Sequence, residues 1–171
     1  MRSTVPLRAG LSMLAAALVA ASGLVTVLIA APARALPTFS VASSTGVAVQ
    51  SSQLSTEHQW LLVVVSPGCV PCNRFLAKLG DPQMPTLGGR VIVLVEGDGA
   101  TAAQYLTPLM MNGLAGSPWY ADRDGSALSA LLLKHTPAVV GIRDMQVEWS
   151  VEGVLNDPSG LEQIARAWLG I

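Results

Sequence analysis

Apolar residues are arranged in two different ways along this chain. Leu11–Ala31 is a continuous apolar run that contains no charged residue. From His58 onward, short apolar runs alternate with segments in which apolar residues recur at helical spacing. The first pattern is typical of a leader or a membrane anchor, and the second is typical of a folded α/β domain.

Four segments of the second region have the composition of β-strands. Trp60–Ser66, Arg90–Glu96 and Pro137–Ile142 are short and mostly β-branched, which predicts strands buried on both faces. Gln146–Gly153 alternates between apolar and polar residues, as a half-exposed antiparallel partner would. Ser117–Gly125 predicts a short extended piece followed by a turn.

Helical spacing occurs between these strands and after them. Predicted helices cover Val70–Gly80, Thr101–Gly113 with an interruption at Pro108, Ser126–His135 and Asp157–Gly170. This order of elements predicts an α/β fold in which a mixed sheet carries helices on both faces.

The N-terminal pattern predicts export. Arg2 and Arg8 precede the apolar run, and Ala33 and Ala35 follow it at the spacing of a signal-peptidase site. A secretory signal peptide cut after Ala35 is therefore predicted. A retained membrane anchor is the alternative, because the run is long enough to span a bilayer.

The next segment is rich in small and polar residues. It predicts a linker with a short strand at Val47–Val49. The expected organisation is a signal peptide or anchor at 1–35, a linker at 36–57 and one folded domain at 58–171.

Composition excludes some classes of partner. Of the 171 residues 51% are apolar, and the formal net charge is −1. There is no basic run and no basic amphipathic segment. We therefore expect no nucleic-acid partner and no surface binding to anionic lipid.

Cys69 and Cys72 are the only cysteines, and they form a C-x-x-C motif between a predicted strand and a predicted helix. A structural zinc site needs about four ligands, and His58 and His135 lack metal-binding spacing. No metal and no cofactor is therefore predicted. A purely structural disulfide is also disfavoured, because so small a loop removes little entropy from the unfolded chain.

A redox role fits the position of the pair better. The partial positive charge of a helix N-terminus stabilises a thiolate at Cys69, and the thiolate is the species that attacks disulfides. Cys72, one turn further on, would resolve the mixed disulfide, while Pro71 helps to fix the turn. A C-x-x-C next to a βαβ pattern is typical of thioredoxin-like redox motifs.

The segments Trp60–Cys72, Thr136–Ile142 and Met145–Leu155 together resemble the thioredoxin superfamily, in particular exported TlpA-type (redoxin-like) thiol–disulfide oxidoreductases. The resemblance implies a thioredoxin-like fold in which Pro137 is a cis-proline beside the cysteine pair. It also implies that the backbone of Thr136 pairs with an extended segment of the substrate near Cys69.

Three features depart from the family pattern. Gly68 stands where the family usually has an aromatic residue, and Val63 stands where cytoplasmic thioredoxins carry a buried acid. Val70 and Pro71 separate the cysteines, whereas strongly oxidising members commonly have a histidine there. Without that histidine, the pKa of Cys69 is expected to be less depressed and the pair to be reducing.

The sequence therefore predicts an exported thiol–disulfide oxidoreductase that acts outside the inner membrane, either free or anchored. Its partners would be proteins with thiols or disulfides, and the resemblance implies recharging by a membrane electron donor. Two alternatives remain open: a disulfide oxidase or isomerase, and a thioredoxin-fold binding or assembly module without catalysis. Glu96, at the end of the second predicted strand, and His135, just before Thr136, are secondary candidates for a position near the site. The simpler explanation is a solvated strand end for Glu96 and a helix-end residue that interacts with the helix dipole for His135.

Overall fold

The computed structural model describes residues 33–153 and 158–171. Eight strands form one sheet in the order β1-β8-β7-β4-β5-β6-β2-β3. The strands are β1 Arg34–Ala35, β2 Ser40–Ser43, β3 Ala48–Gln50, β4 Gln59–Val65, β5 Val91–Glu96, β6 Trp119–Asp122, β7 Ala138–Arg143 and β8 Gln146–Glu152. The α-helices in the described residues are α1 Val70–Leu79, α2 Gly99–Leu106, α3 Ser126–Leu131 and α4 Pro158–Leu169.

The centre of the sheet is β4, the strand that leads into the cysteine motif. It pairs in parallel with β5 and antiparallel with β7, so the sheet is mixed, as predicted. Every residue from Trp60 to Val65 is fully buried. These residues alternate between two apolar clusters, one packed against α1, α2 and α4 and the other against α3. Helices on both faces therefore cover the sheet, and the predicted thioredoxin-like α/β fold is confirmed.

Two helices end earlier than their apolar spacing predicts. Helix α2 stops at Leu106, two residues before Pro108, which cannot donate a backbone hydrogen bond to continue the helix. Helix α3 stops at Leu131, because Leu132 adopts a left-handed conformation with φ 62°. The residues from Leu132 to His135 were predicted to be helical, but they belong to the loop between α3 and β7.

The segment 36–57 differs from the predicted linker. Strands β2 and β3 form a hairpin that joins the sheet through β6, and the strand expected at Val47–Val49 appears as β3. Phe39, Val41 and Leu54 are buried in the cluster on the α3 face. The folded domain therefore begins before residue 58, since a few alternating apolar side chains among small polar residues are enough to anchor the hairpin.

The predicted signal peptide or anchor lies outside the described residues apart from its last three positions. Arg34 and Ala35 form β1, which pairs with β8, and Leu36 donates a backbone hydrogen bond to the carbonyl of Met145 at 2.8 Å. Within the two described stretches, no helix is long and apolar enough to cross a membrane.

Candidate redox site

The two cysteines lie where β4 turns into α1. The strand ends at Val65, and Gly68 occupies the left-handed region with φ 81°, which glycine adopts without steric cost. The turn is closed by the backbone N–H of Cys69, which donates to the carbonyl of Ser66 at 3.2 Å. Cys69 is then the N-cap residue of α1.

Cys69 and Cys72 form a disulfide with a Cα–Cα distance of 5.2 Å. The backbone N–H of Cys72 donates to Sγ of Cys69 at 3.1 Å, so the sulfur itself caps the helix. Cys72 is fully buried, whereas Cys69 is only partly buried. Pro71 lies in the first turn of α1, where its missing N–H leaves no helical carbonyl without a donor. The pair therefore combines a partly exposed cysteine with a fully buried one.

A second loop, between α3 and β7, meets the cysteine loop at the end of β4. Its Thr136–Pro137 peptide bond is cis, as the resemblance implies. The hydroxyls of Thr136 and Ser66 are hydrogen-bonded at 2.8 Å and join residues 70 positions apart in the chain. Ser66, three residues before Cys69, therefore ties the proline loop to the cysteine loop. The sequence analysis did not select Ser66, because a serine at a strand end has no distinguishing pattern.

Glu152, the last residue of β8, is a further part of this region that the sequence analysis missed. Its Oε2 accepts the backbone N–H groups of Lys134 at 2.6 Å and of His135 at 2.9 Å. These hydrogen bonds, that of Lys134 first, lower the pKa of the Glu152 carboxyl below its usual value of 4.5. The next residue, Gly153, donates its N–H to the carbonyl of Pro137 at 3.0 Å.

The positions that depart from the family pattern are seen directly. Val63 is fully buried in the cluster that also contains Cys72. Val70, between the cysteines, keeps 58% of its surface exposed. Glu96 is at the end of β5, level with Asp122 of β6, and His135 is exposed. The chain neighbours of Cys69, which are Gly68 and Val70, therefore carry no charge, and Cys69 itself lies at the N-terminus of α1.

Two tryptophans of the sheet, Trp60 and Trp149, contact Trp168 of α4. Trp60 is fully buried, and Trp168 donates its indole N–H to the Trp60 carbonyl at 3.2 Å. Trp149 meets Trp168 edge to face, with ring centroids 5.4 Å apart. A Cβ on Gly141 would lie 2.2 Å from the Trp149 ring, so any side chain at this position of β7 would clash with the indole.

These elements define a thioredoxin-like fold with a C-x-x-C disulfide at the start of a helix and a cis-proline loop beside it. No family model matches the chain, and no curated protein matches it in sequence. Solved structures do match it in fold.

One neighbour is a secreted disulfide oxidoreductase of Mycobacterium tuberculosis that is homologous to DsbE of E. coli. It has 16% identity and a TM-score of 0.59, and the match covers 75% of this chain and 95% of the neighbour. A thioredoxin-family thiol:disulfide interchange protein of Chlorobium tepidum has 15% identity, a TM-score of 0.59 and coverages of 82% and 99%. An exposed lipoprotein thioredoxin of Streptococcus pneumoniae has 15% identity, a TM-score of 0.54 and coverages of 76% and 98%. The predicted resemblance is confirmed at the level of the fold, and the neighbours belong to the predicted class.

Proposed function

We propose that this chain is an exported thiol–disulfide oxidoreductase that reduces disulfides of partner proteins. The observation that carries the proposal is the Cys69–Cys72 disulfide, whose accessible sulfur caps α1 next to the Thr136–Pro137 loop. Fold alone does not define an activity, so the argument rests on the chemistry of this pair.

The reaction transfers two electrons from the dithiol to the client. The thiolate of reduced Cys69 attacks one sulfur of a client disulfide, which forms a mixed disulfide and releases the other client sulfur as a thiolate. The thiolate of Cys72 then attacks Sγ of Cys69. This step restores the Cys69–Cys72 disulfide and releases the second client thiolate, so that the client is reduced and the domain is oxidised.

The surroundings of the pair favour this direction. The N-terminus of α1 stabilises the Cys69 thiolate, but Val70 and Pro71 add no histidine that would stabilise it further. A less stabilised thiolate corresponds to a more reducing pair. Because Val63 stands where cytoplasmic thioredoxins carry a buried acid, the proton of Cys72 must pass to water or to another group during release of the client.

The backbone of Thr136 is the proposed docking point for the client. Pro71 and Pro137 are proposed to hold the cysteine and proline loops in the geometry that presents it. The oxidised Cys69–Cys72 pair must then be reduced again by an electron donor, and the family resemblance implies that this donor is a membrane protein. The apolar run of Leu11–Ala31 supports export and leaves both a cleaved leader and an anchor as routes to an extracytoplasmic location.

The reduction potential of the pair tests the direction of electron flow. Equilibration with glutathione buffers, followed by alkylation of free thiols, measures it. A value near about −270 mV supports the reductant, and a value near about −120 mV reverses the proposed direction.

Replacement of the resolving cysteine tests the chemistry itself. In the Cys72→Ser variant, a redox enzyme accumulates client proteins in disulfides to Cys69 that dithiothreitol releases. The Cys69→Ser/Cys72→Ser double variant is the control and should capture none. Partners that remain bound to the double variant without a covalent link would instead support the binding-module alternative.

A further inference from the structure

The loop that precedes the cis-proline is hydrogen-bonded to the side chain of Glu152, the last residue of β8. After Leu132 closes α3, the backbone N–H of Leu133 returns to the carbonyl of Leu128 at 2.9 Å. The next two backbone N–H groups, of Lys134 and His135, have no helix or strand partner and donate to the Glu152 carboxylate instead. A side chain of another element therefore supplies the acceptor that the loop lacks.

One carboxylate oxygen, Oε2, accepts both N–H groups. Hydrogen bonds to an ionised acceptor are stronger than neutral ones, although exposure to water weakens these two, and both bonds direct the Lys134 and His135 N–H groups toward the same oxygen. Glu152 also pairs through its backbone with Ala138, the residue after Pro137. The end of β8 therefore contacts the proline loop on both sides of Thr136.

These contacts do not involve the backbone N–H and carbonyl of Thr136, the proposed docking point for the client. None of the hydrogen bonds from Glu152 or Gly153 uses the N–H or carbonyl of Thr136, and the Ser66 contact uses only its hydroxyl. Glu152 and Gly153 thus hold the residues on either side of Thr136 without using its backbone hydrogen-bonding groups.

We propose that Glu152 is a positioning residue for the client, which holds the Lys134–Thr136 backbone in the conformation that an extended protein substrate pairs with. This inference rests on the proposed function. Glu152 acts through the loop and does not touch the reacting sulfurs. A protein disulfide that must align along the Thr136 backbone needs this positioning, whereas a small disulfide that only meets Cys69 does not.

The test compares a protein disulfide with a small one. Reduced wild type, Glu152→Ala and Glu152→Gln are mixed with insulin or with bis(2-hydroxyethyl) disulfide, and the rate constants for reduction are measured. The control is Glu148→Ala, which removes a glutamate of the same strand whose side chain has no hydrogen bond or ion pair to the loop.

Glu152→Ala should slow insulin reduction about tenfold, as expected for the loss of two ordering hydrogen bonds, and leave the small disulfide within about twofold of wild type. Glu152→Gln keeps an acceptor oxygen and should recover part of the loss. Glu148→Ala should behave as wild type with both substrates. Amide hydrogen exchange should accelerate at Lys134 and His135 in Glu152→Ala.

Two results would overturn the inference. One is unchanged insulin reduction in Glu152→Ala. The other is an equal loss with both disulfides, which would mark a structural role only. If wild-type protein reduces neither disulfide, the proposed function fails instead, so the two failures are distinguishable.

Discussion

The cysteine loop and the cis-proline loop meet at the end of β4, yet they are held in place by different kinds of contact. The cysteine loop is organised by its own neighbours: Gly68 turns the chain, and Cys69 caps the helix that it begins. The proline loop is held by residues far along the chain, Ser66 and Glu152. The cysteine loop is thus organised by local contacts, whereas the position of the cis-proline loop depends on the assembled sheet.

This contrast predicts that changes to the cysteine loop alter the reaction with every disulfide, while changes to the proline loop affect protein disulfides more than small ones.

The largest effect should come from the attacking sulfur. Cys69→Ser should abolish reduction of both insulin and bis(2-hydroxyethyl) disulfide, because no other thiolate is exposed at the helix N-terminus. Cys72→Ser should retain attack but stop at the mixed disulfide. Equal residual turnover in the two variants, measured by NADPH-coupled or insulin turbidity assays, would contradict the assigned order of attack.

The next effect concerns the turn before Cys69. Gly68→Ala should lower the free energy of unfolding by about 1–2 kcal/mol, because an L side chain at φ 81° is strained even though no atom lies within 4 Å of the added Cβ. Gly46 has the same φ of 81° and the same open surroundings in the β2–β3 turn. Urea denaturation should give Gly46→Ala a similar loss of stability.

Redox measurements then separate these two glycine variants. Only Gly68→Ala should change the rate of attack by Cys69, and it should do so for protein and small disulfides alike. A wild-type rate in Gly68→Ala would show that the turn geometry does not matter for the reaction.

A smaller effect should follow from the contact between the loops. Ser66→Ala and Thr136→Val each remove one hydroxyl of the pair, and their double-mutant cycle should give a coupling of about 1 kcal/mol in unfolding free energy. The matched control is the exposed pair of Ser43 and Thr45, whose hydroxyls lie 3.0 Å apart. Its coupling should be smaller because water replaces the lost partner. Equal couplings would mean that the Ser66–Thr136 contact is no more than a surface hydrogen bond.

The smallest effect is the acid response of the proline loop. Because the pKa of Glu152 is lower in the folded protein than its usual 4.5, the stabilisation it gives is complete above 4.5 and is lost as the pH falls through the folded value. The NMR chemical shifts of the Lys134 and His135 amides, and their exchange protection factors after correction for the intrinsic pH dependence of exchange, should follow this titration. In Glu152→Gln neither quantity should show a carboxyl titration in that range.

Sequence patterns predicted much of the fold because its centre is locally encoded. The short, β-branched runs of β4, β5 and β7 favour buried strands, and the apolar stripe of α4 faces the core as its spacing predicts. The hairpin at residues 36–57 escaped prediction for the opposite reason. Its strands are short, and their burial depends on Phe39 and Val41 reaching a core built by later residues.

The candidate site divides in the same way. Residue type and short spacing in the amino-acid sequence predicted the cysteine pair and its position at the start of a helix, and the family resemblance implied the cis-proline at Pro137. Only the tertiary structure decided which groups hold the proline loop. A serine 70 residues away and a glutamate at a strand end become partners of that loop when the sheet brings β4 and β8 to either side of β7. Such contacts depend on register and strand order, which no local pattern in the chain specifies.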